Sequence, residues 1–517
     1  MTISVVQRPT AVAVTAPARA IRRWDTVAVA LFTVVLCAAG SARPSLWFDE
    51  AATISAGTRS VPELWRMVHN IDAVHGLYYL LMHGWFVVFP ATEFATRLSS
   101  ALAAGMAAAG VVVLGKLVSS RTVAVTAGLT FAVLPRVTWA GMETRSYALT
   151  MAAAVWLTVF CIRAARRGTS WRWLGYGVLL VSAVVLNVFL VLIIPAHGVA
   201  VLAYSRRPRA FAAWAAATAV AVAAITPFLL FAQTQLFQVG WIFPLGSQTV
   251  TGILHEQYFD QSVAAAVVAG LIIVAAAVCG PLFGAGRPHR LIALTLTWMV
   301  APTVVLLVYS ALRHPMYYPR YLSFTVPAFA LLLGMCIVTV GRSRAGVAAL
   351  LVALAVAGVP TYLFQRGVYA KAYMDYSAVA DVIDRNGAPG DCLVMDNSTT
   401  WAPGPIRPLT AARPAVYQKL HDYGRGLTSV QRNRLWDGHI AIWAWSDKMP
   451  DCRVLWTVSE RDPAMPEHQR GPSLPPGPRL GRAMAYQVPS RFGFQVVERW
   501  QFSFAQVTKS TRPESSG

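Results

Sequence analysis

Short clusters of arginine cut this chain into long apolar runs, and that alternation dictates most of what it can fold into. Runs near 25–42, 97–118, 122–141, 146–165, 173–189, 190–204, 210–232, 263–283, 291–311, 321–340 and 345–364 are dominated by Ala, Val, Leu and Ile. A membrane-crossing helix needs about 20 such residues, so the pattern predicts about eleven spans. The stretch from Trp173 to Tyr204 is short for two helices and long for one, and Asn187 and Pro195 interrupt it. Two spans are required there to keep both flanking Arg clusters on one side. Only 13% of the 517 residues are charged, against about 25% in soluble domains.

The net charge of +21 would by itself admit a nucleic-acid partner, but the distribution of charge gives another reading. Up to Phe364 there are 25 basic and 9 acidic residues. Seventeen of the basic ones are Arg8 and Arg19 in the leader, or lie in clusters at Arg22/Arg23, Lys116/Arg121, Arg163 to Arg172, Arg206 to Arg209, Arg287/Arg290 and Arg342/Arg344. Basic residues between spans mark the cytoplasmic face. With eleven spans and a cytoplasmic N-terminus, every cluster falls inside and no nucleic acid is needed. Eight of the nine acids (Asp49, Glu50, Glu63, Asp72, Glu93, Glu143, Glu256 and Asp260) then fall outside. The first run follows Arg22-Arg23 and ends in "CAAGSA", which resembles a signal-peptide cleavage site; the later helices favour an uncleaved signal-anchor in a plasma membrane.

The predicted organisation is a cytoplasmic leader (1–24), a transmembrane domain (25–364) with a long outer loop (43–96), an extracytoplasmic α/β domain (365–505) and a disordered tail (506–517). In the outer loop, "SVPELWRMVHNI" reads as an amphipathic surface helix. "HGLYYLLMHGWFVVF" is too short to span and reads as lying along the outer interface. In the C-terminal domain "DCLVMDN", "HIAIWAWSD", "CRVLWTVSE" and "GFQVVERWQFSFAQV" read as strands, and "YSAVADVIDRNG" as a helix. Cys37, Cys161, Cys279 and Cys336 sit in apolar runs as packing residues. Cys392 and Cys452 lie in the C-terminal domain, where a disulfide is open if that domain is outside the cytoplasm. There is no CxxC to hold zinc.

Asp49, Glu50, Glu143, Arg145, Arg136, Arg313 and Arg320 all stand within a few residues of an outer helix end. Taken singly, each could be a solvated helix end, and Arg313 reads that way. As a set they define a cavity of carboxylates and guanidiniums at the membrane edge. A carboxylate can take the proton of an attacking hydroxyl, and guanidiniums can hold a phosphate and stabilise its charge as it leaves. Sugar transfer from a lipid phosphate fits; so does a transporter or flippase, which also uses intramembrane acids and bases. No P-loop and no GxGxxG between a strand and a helix marks a nucleotide site.

The blocks "LWFDEAAT", "DAVHGLYYLLMHGW", "EFATRLSSAL", "METRSYAL" and "PRYLSFTVPAFALLLG" follow in that order between Trp24 and Gly334. Together they resemble the GT-C fold integral-membrane glycosyltransferases, most nearly the protein O-mannosyltransferase-like family (glycosyltransferase family 39 and its bacterial relatives). The resemblance implies an all-α polytopic membrane fold and a polyprenyl-phosphate sugar donor, such as dolichyl- or decaprenyl-phosphate mannose. It also implies inverting transfer to an extracytoplasmic hydroxyl. It makes Asp49 the catalytic base and Glu50 its companion acid. Glu143, Arg145 and Tyr147 match a Glu-x-Arg-x-Tyr block that contacts the donor phosphate or assists the base. Arg320 and Tyr321 match a lipid-phosphate block.

The family's His-Pro-Pro-Leu-Tyr-Tyr is here His75-Gly76-Leu77-Tyr78-Tyr79, without the prolines. His75 and Tyr78 then serve the acceptor or the structure, and His75 is also the candidate ligand of a divalent metal. Arg97 matches an arginine that pairs with an acid. Trp241 either stacks on a sugar or belongs to the interfacial aromatic belt. Trp436, Trp443 and Trp445 either face carbohydrate or form a core, with the core favoured. His255-Glu256 reads as a solvated pair. The sugar stays open between mannose and arabinose, and the acceptor between protein, lipid and cell-wall polysaccharide. A silent lipid-glycan binder is the remaining alternative.

Overall fold

The computed structural model describes residues 17–167, 170–279, 288–395, 407–440, 449, 452–471, 474–478 and 489–513. In chain order the helices that build the site are α1 (Pro17–Ala38), α2 (Phe48–Gly57), α3 (Val61–Val68), α4 (Gly76–Val88), α5 (Glu93–Val118), α6 (Arg121–Val133), α7 (Pro135–Ala140), α8 (Tyr147–Arg167), α9 (Ser170–Leu186), α10 (Ile194–Tyr204) and α11 (Ala210–Gln233). Then come α12 (Ser247–Thr251), α13 (Gln257–Phe259), α14 (Val263–Cys279), α15 (Pro288–Leu312), α16 (Val326–Gly341) and α17 (Arg344–Phe364).

Among the described residues every predicted apolar run falls mainly on helix. The number able to cross a bilayer alone is smaller than eleven, however. Among the described residues six helices are long and apolar enough, or seven if the pair Ser247–Phe259 and Val263–Val278, bent by 85°, counts as one span. Two of the other runs are divided by local chemistry. The run at 122–141 divides at Leu134, held extended (φ −63, ψ 128) by the proline after it. The run from Trp173 to Tyr204 divides at Asn187, whose side chain accepts from the Phe189 N–H at 3.0 Å. A 3-10 turn (Val188–Ile193) follows, and Pro195 sits in the first turn of α10.

The bundle packs closely because small residues line its contacts. A Cβ placed on Gly334 of α16 would lie 2.6 Å from the Ala127 Cα of α6, so these two backbones touch. At one end of the bundle Asp25 pairs with Arg121 at 2.7 Å and Lys116 at 3.4 Å. At the opposite end the loops at 43–96, 134–146, 234–262 and 313–325 converge, with the C-terminal domain above them. There α3 carries a Ser60/Glu63 capping box and buries only Leu64 and Met67. At 13 residues α4 is about 20 Å long and exposes Leu80, Leu81, Val87 and Val88. Both helices thus keep one face open on the outside of the protein.

The C-terminal domain has α18 (Tyr376–Asn386), α19 (Arg407–Ala412) and α20 (Pro414–Gln418) against one mixed sheet, order β2-β1-β3-β6-β5-β4. Its strands are β1 (Cys392–Met395), β2 (His421–Asp422), β3 (Val454–Glu460), β4 (His468–Arg470), β5 (Gln495–Gln501) and β6 (Ala505–Thr511). β1 runs parallel to β2 and β3; the other pairings are antiparallel. Three of the four predicted strands are present, and most of "HIAIWAWSD", with Trp443 and Trp445, lies outside the described residues. The disordered tail expected at 506–517 is corrected over 506–511: β6 pairs there on both sides, with β3 and β5. Its polar alternation hid a central strand. Cys392 and Cys452 form a disulfide, Cα–Cα 6.0 Å.

The domain is not a separate lobe. Leu46, Ala51 and Ile54 of the α2 region share one apolar cluster with Tyr376, Val379, Ile383, Trp456 and Val458. Two hydrogen bonds cross the junction at Ser377, from the Ser377 N–H to Ser45 Oγ and from the Leu46 N–H to Ser377 Oγ, both 2.9 Å. Asp375 closes it, accepting the N–H groups of Phe504 and Ala505 at 2.9 and 2.8 Å. Burial pushes its carboxyl up to about 6 against those two bonds. A carboxyl with its folded pKa above the unfolded value binds more protons when folded. Its contribution is therefore fully favourable below about pH 4 and is lost as pH rises through 6. Thermal or denaturant unfolding in detergent should show wild type losing roughly 3 kcal/mol more than Asp375→Asn between pH 3.5 and 7.

Candidate active site

The site starts from the two acids in the first turn of α2, where the helix dipole favours negative charge. One turn covers both, yet their side chains go opposite ways. Glu50 is fully buried and grips Arg97 of α5, Nε to Oε1 at 2.8 Å and Nη2 to Oε2 at 2.5 Å. Arg97 spends its remaining donors on the carbonyls of Ser41, Pro44 and Ser45 (2.7, 2.7 and 3.0 Å). The Thr144 N–H adds a third bond to Glu50 at 3.1 Å. Burial pushes the Glu50 carboxyl up, but the Arg97 guanidinium outweighs it and holds the group below its ordinary value. Glu50 is the clasp between α2, α5 and the loop into α2.

Asp49 is bound loosely. Its Oδ1 lies 3.5 Å from Arg145 Nη2 and its Oδ2 lies 3.4 Å from Arg320 Nη2. Oδ2 is buried with no hydrogen bond, as are the Nε atoms of both arginines. Each arginine is positioned from behind. Arg145 Nη1 donates to the Tyr79 hydroxyl at 2.9 Å, and that hydroxyl donates to Asp72 at 2.7 Å. Asp72 and Ala73 are held in turn by Gln238 and Gln235 of the third loop. Burial raises the Asp72 carboxyl above its ordinary value. Arg320 lies among the rings of Tyr318, Trp47 and Trp241, at 4.8, 5.5 and 5.6 Å from their centroids, cation–π contacts that fix its plane.

Glu143, expected to act on the phosphate or the base, is instead occupied. It accepts from Trp47 Nε1 at 2.6 Å and from Lys371, which follows α17. Burial raises its carboxyl. Its contact with the site runs through Trp47, whose ring lies against Arg320. Tyr147 packs on Trp139, and Tyr321 stacks on Phe189 at 5.0 Å. His75 is half-buried, with its Nδ1 enclosed and unpartnered and its ring 5.8 Å from Tyr79; desolvation lowers it to about 3. Tyr78 is buried beside Tyr79. Trp241 is 42% exposed and meets Tyr318 edge-on at 5.0 Å. Arg136 is not part of the cluster: it pairs with Asp260 at 3.0 Å. Arg313 is exposed, and Trp436 packs on Phe48 at 5.2 Å.

Sequence reasoning missed Lys371, Asp72 and the roles of Tyr79 and Trp47. Tyr79 stood beside the chosen Tyr78. Lys371 had one signal, a cation seven residues beyond the last span. Among the described residues no group of three or more His, Cys, Asp or Glu is placed to hold a metal. His75 has a single nearby carboxylate, Asp49, and two guanidiniums, a donor set that does not make a metal site.

The fold and this cluster define a multi-pass membrane protein with one carboxylate set between two arginines at the end of its bundle. No protein-family model and no curated protein matches the chain. Solved structures do. ArnT from Cupriavidus metallidurans is similar in the apo state (12% identity, TM-score 0.55, 95% of this chain and 98% of that chain). It is similar also bound to undecaprenyl phosphate (12%, 0.52, 96% and 98%). An Archaeoglobus fulgidus oligosaccharyltransferase in complex with Zn and sulfate is more distant (13%, 0.43, 84% and 68%). The chain has the GT-C fold that the sequence blocks resembled. The nearer kinship to protein O-mannosyltransferases rests on those blocks alone.

The two adjacent acids should separate in a folding assay. Glu50→Gln strips a buried guanidinium of its counter-charge, at a cost of about 3–5 kcal/mol. Fluorescence-detected size exclusion in detergent should show loss of folded protein for Glu50→Gln and none for Asp49→Asn.

Proposed function

We propose that the protein is a membrane glycosyltransferase that moves a sugar, mannose with arabinose as the alternative, from a polyprenyl phosphate to an acceptor hydroxyl outside the cytoplasm, with inversion. The observation that carries this is Asp49, loosely held between Arg145 and Arg320 with one oxygen and both Nε donors unbonded. A similar fold bound to undecaprenyl phosphate supports the donor class. The Cys392–Cys452 disulfide supports an oxidising compartment for the C-terminal domain, and the basic clusters support a cytoplasmic N-terminus.

Asp49 takes the proton of the acceptor hydroxyl, and the oxygen attacks the anomeric carbon from the face opposite the phosphate. The bond from that carbon to the phosphate oxygen breaks, and its electron pair leaves with the polyprenyl phosphate. Arg145 and Arg320 take up the phosphate charge, with Tyr147 and Tyr321 lining the donor's approach. Their guanidiniums serve where a metal would otherwise act, and no step runs through a metal at His75. Glu50, Glu143 and Arg97 act by position, while His75, Tyr78 and Trp241 border the acceptor side. The acceptor is a protein, lipid or polysaccharide hydroxyl.

Membranes carrying the protein should convert labelled polyprenyl-phosphate mannose or arabinose into a new glycoside. Asp49→Asn should lower kcat roughly 100- to 10,000-fold with the protein still folded; full activity in that variant sinks the base assignment. Arg320→Gln should weaken donor binding by about 10-fold or more. Substrate movement without a new glycosidic bond would replace this reading by a transporter.

A further inference from the structure

A polar cavity of about 450 Å³ lies where the far half of α2 and the start of α3 meet the C-terminal domain. It is large enough for a small ligand, and it is separate from the cluster around Asp49. Three side chains that line it are buried and carry an unbonded polar atom: Arg407 Nε (2% exposed), Arg59 Nη1 (5%) and the Tyr417 hydroxyl (6%). Buried groups of this kind cost free energy unless something in the cavity satisfies them.

The charges select the ligand. Arg59, Arg407 and Arg425 are matched by Glu63, Asp422 and Asp437. Arg407 is paired with Asp422, and Arg425 with Asp437 at 2.7 Å. An anion would meet three carboxylates and a cation three guanidiniums, while an apolar ligand would leave Arg407 Nε, Arg59 Nη1 and the Tyr417 hydroxyl unpaired. A neutral molecule whose groups both donate and accept fits, since a hydroxyl can serve guanidinium, carboxylate and the hydroxyls of Ser55, Thr58 and Tyr417 alike.

Position says which part of such a molecule. Ser55 follows Asp49 by six residues, about 9 Å along the axis. It lies off the stripe that Asp49 shares with Thr53 and Ala56. An occupant here is on another side of α2 from the reacting groups.

We propose that this pocket binds a neutral saccharide unit of the acceptor, remote from the hydroxyl that Asp49 deprotonates, so that the acceptor is an extended glycan held at two places. The proposal rests on the glycosyl-transfer reading for the word acceptor, but binding is measured without turnover. Full-length protein in nanodiscs is titrated with fluorescently labelled mannotetraose, arabinotetraose and, for comparison, a tetrasaccharide of a uronic acid. At least one neutral probe should bind wild type and Asp49→Asn equally. Tyr417→Phe should weaken it about 3- to 10-fold, and Ala411→Trp, which fills the cavity from α19, should abolish it. If Ala411→Trp fails to fold, Tyr417→Phe and Ser429→Ala carry the test. No binding of either neutral probe, tighter binding of the uronic acid, or affinity unchanged in every variant overturns the proposal. Saccharide binding in a protein that makes no glycoside from any labelled donor would overturn transfer and leave the pocket standing.

Discussion

The bond between Glu50 and Arg97 is the constraint from which the rest of the site follows. Both side chains are fully buried, where an unpaired charge costs several kcal/mol, so neither can leave the other. Arg97 belongs to a helix packed deep in the bundle, and its other donors tie the carbonyls of residues 41 to 45. Those residues lead directly into α2. The start of α2 is thereby fixed against the bundle, and Asp49, one residue before Glu50, is fixed with it.

Around that clasp almost every buried charge is fully engaged. Glu143 has Trp47 and Lys371, Glu93 has Ser377 and Arg413, and Asp72 has Tyr79. Asp49 differs from these three acids, with ion pairs of 3.4 and 3.5 Å and an oxygen left unbonded. Saturated pairs hold shape, whereas a loosely held charge between fixed donors can be redistributed when a ligand arrives. That difference is what preorganisation requires of a site, rigid supports around one group free to react.

Much of this was legible in the sequence, and the parts that were not share a cause. Apolar runs and Arg clusters are local signals, so helix positions and the break at Asn187 could be read directly, whereas the break before Pro135 fell inside a run read as one span. Asp49, Arg145 and Arg320 could be gathered because each stood beside an outer helix end within a recognisable block. The partition of duties between Asp49 and Glu50 could not be read from two adjacent letters, because it depends on which way each side chain leaves one helical turn. Lys371 and Ser377 act across hundreds of residues of sequence on Glu143 and Ser45, and no spacing rule links them. The second half of β6, beyond Val507, was missed for a similar reason: a polar strand earns its place from neighbours on both sides, not from its own hydrophobicity.

The proposed chemistry conserves charge within the cluster, and this explains why two arginines flank the base. Before reaction the acid carries one negative charge and the donor phosphodiester another. When Asp49 accepts the hydroxyl proton it becomes neutral, and the departing phosphate monoester gains the charge that Asp49 lost. Arg145 and Arg320 therefore see the same total throughout; what changes is its location. Donors held from behind by Tyr79 and by three aromatic rings need only small shifts to follow that charge from carboxylate to phosphate. A solvated pair would reorganise water at the same moment, and the burial of this cluster removes that barrier.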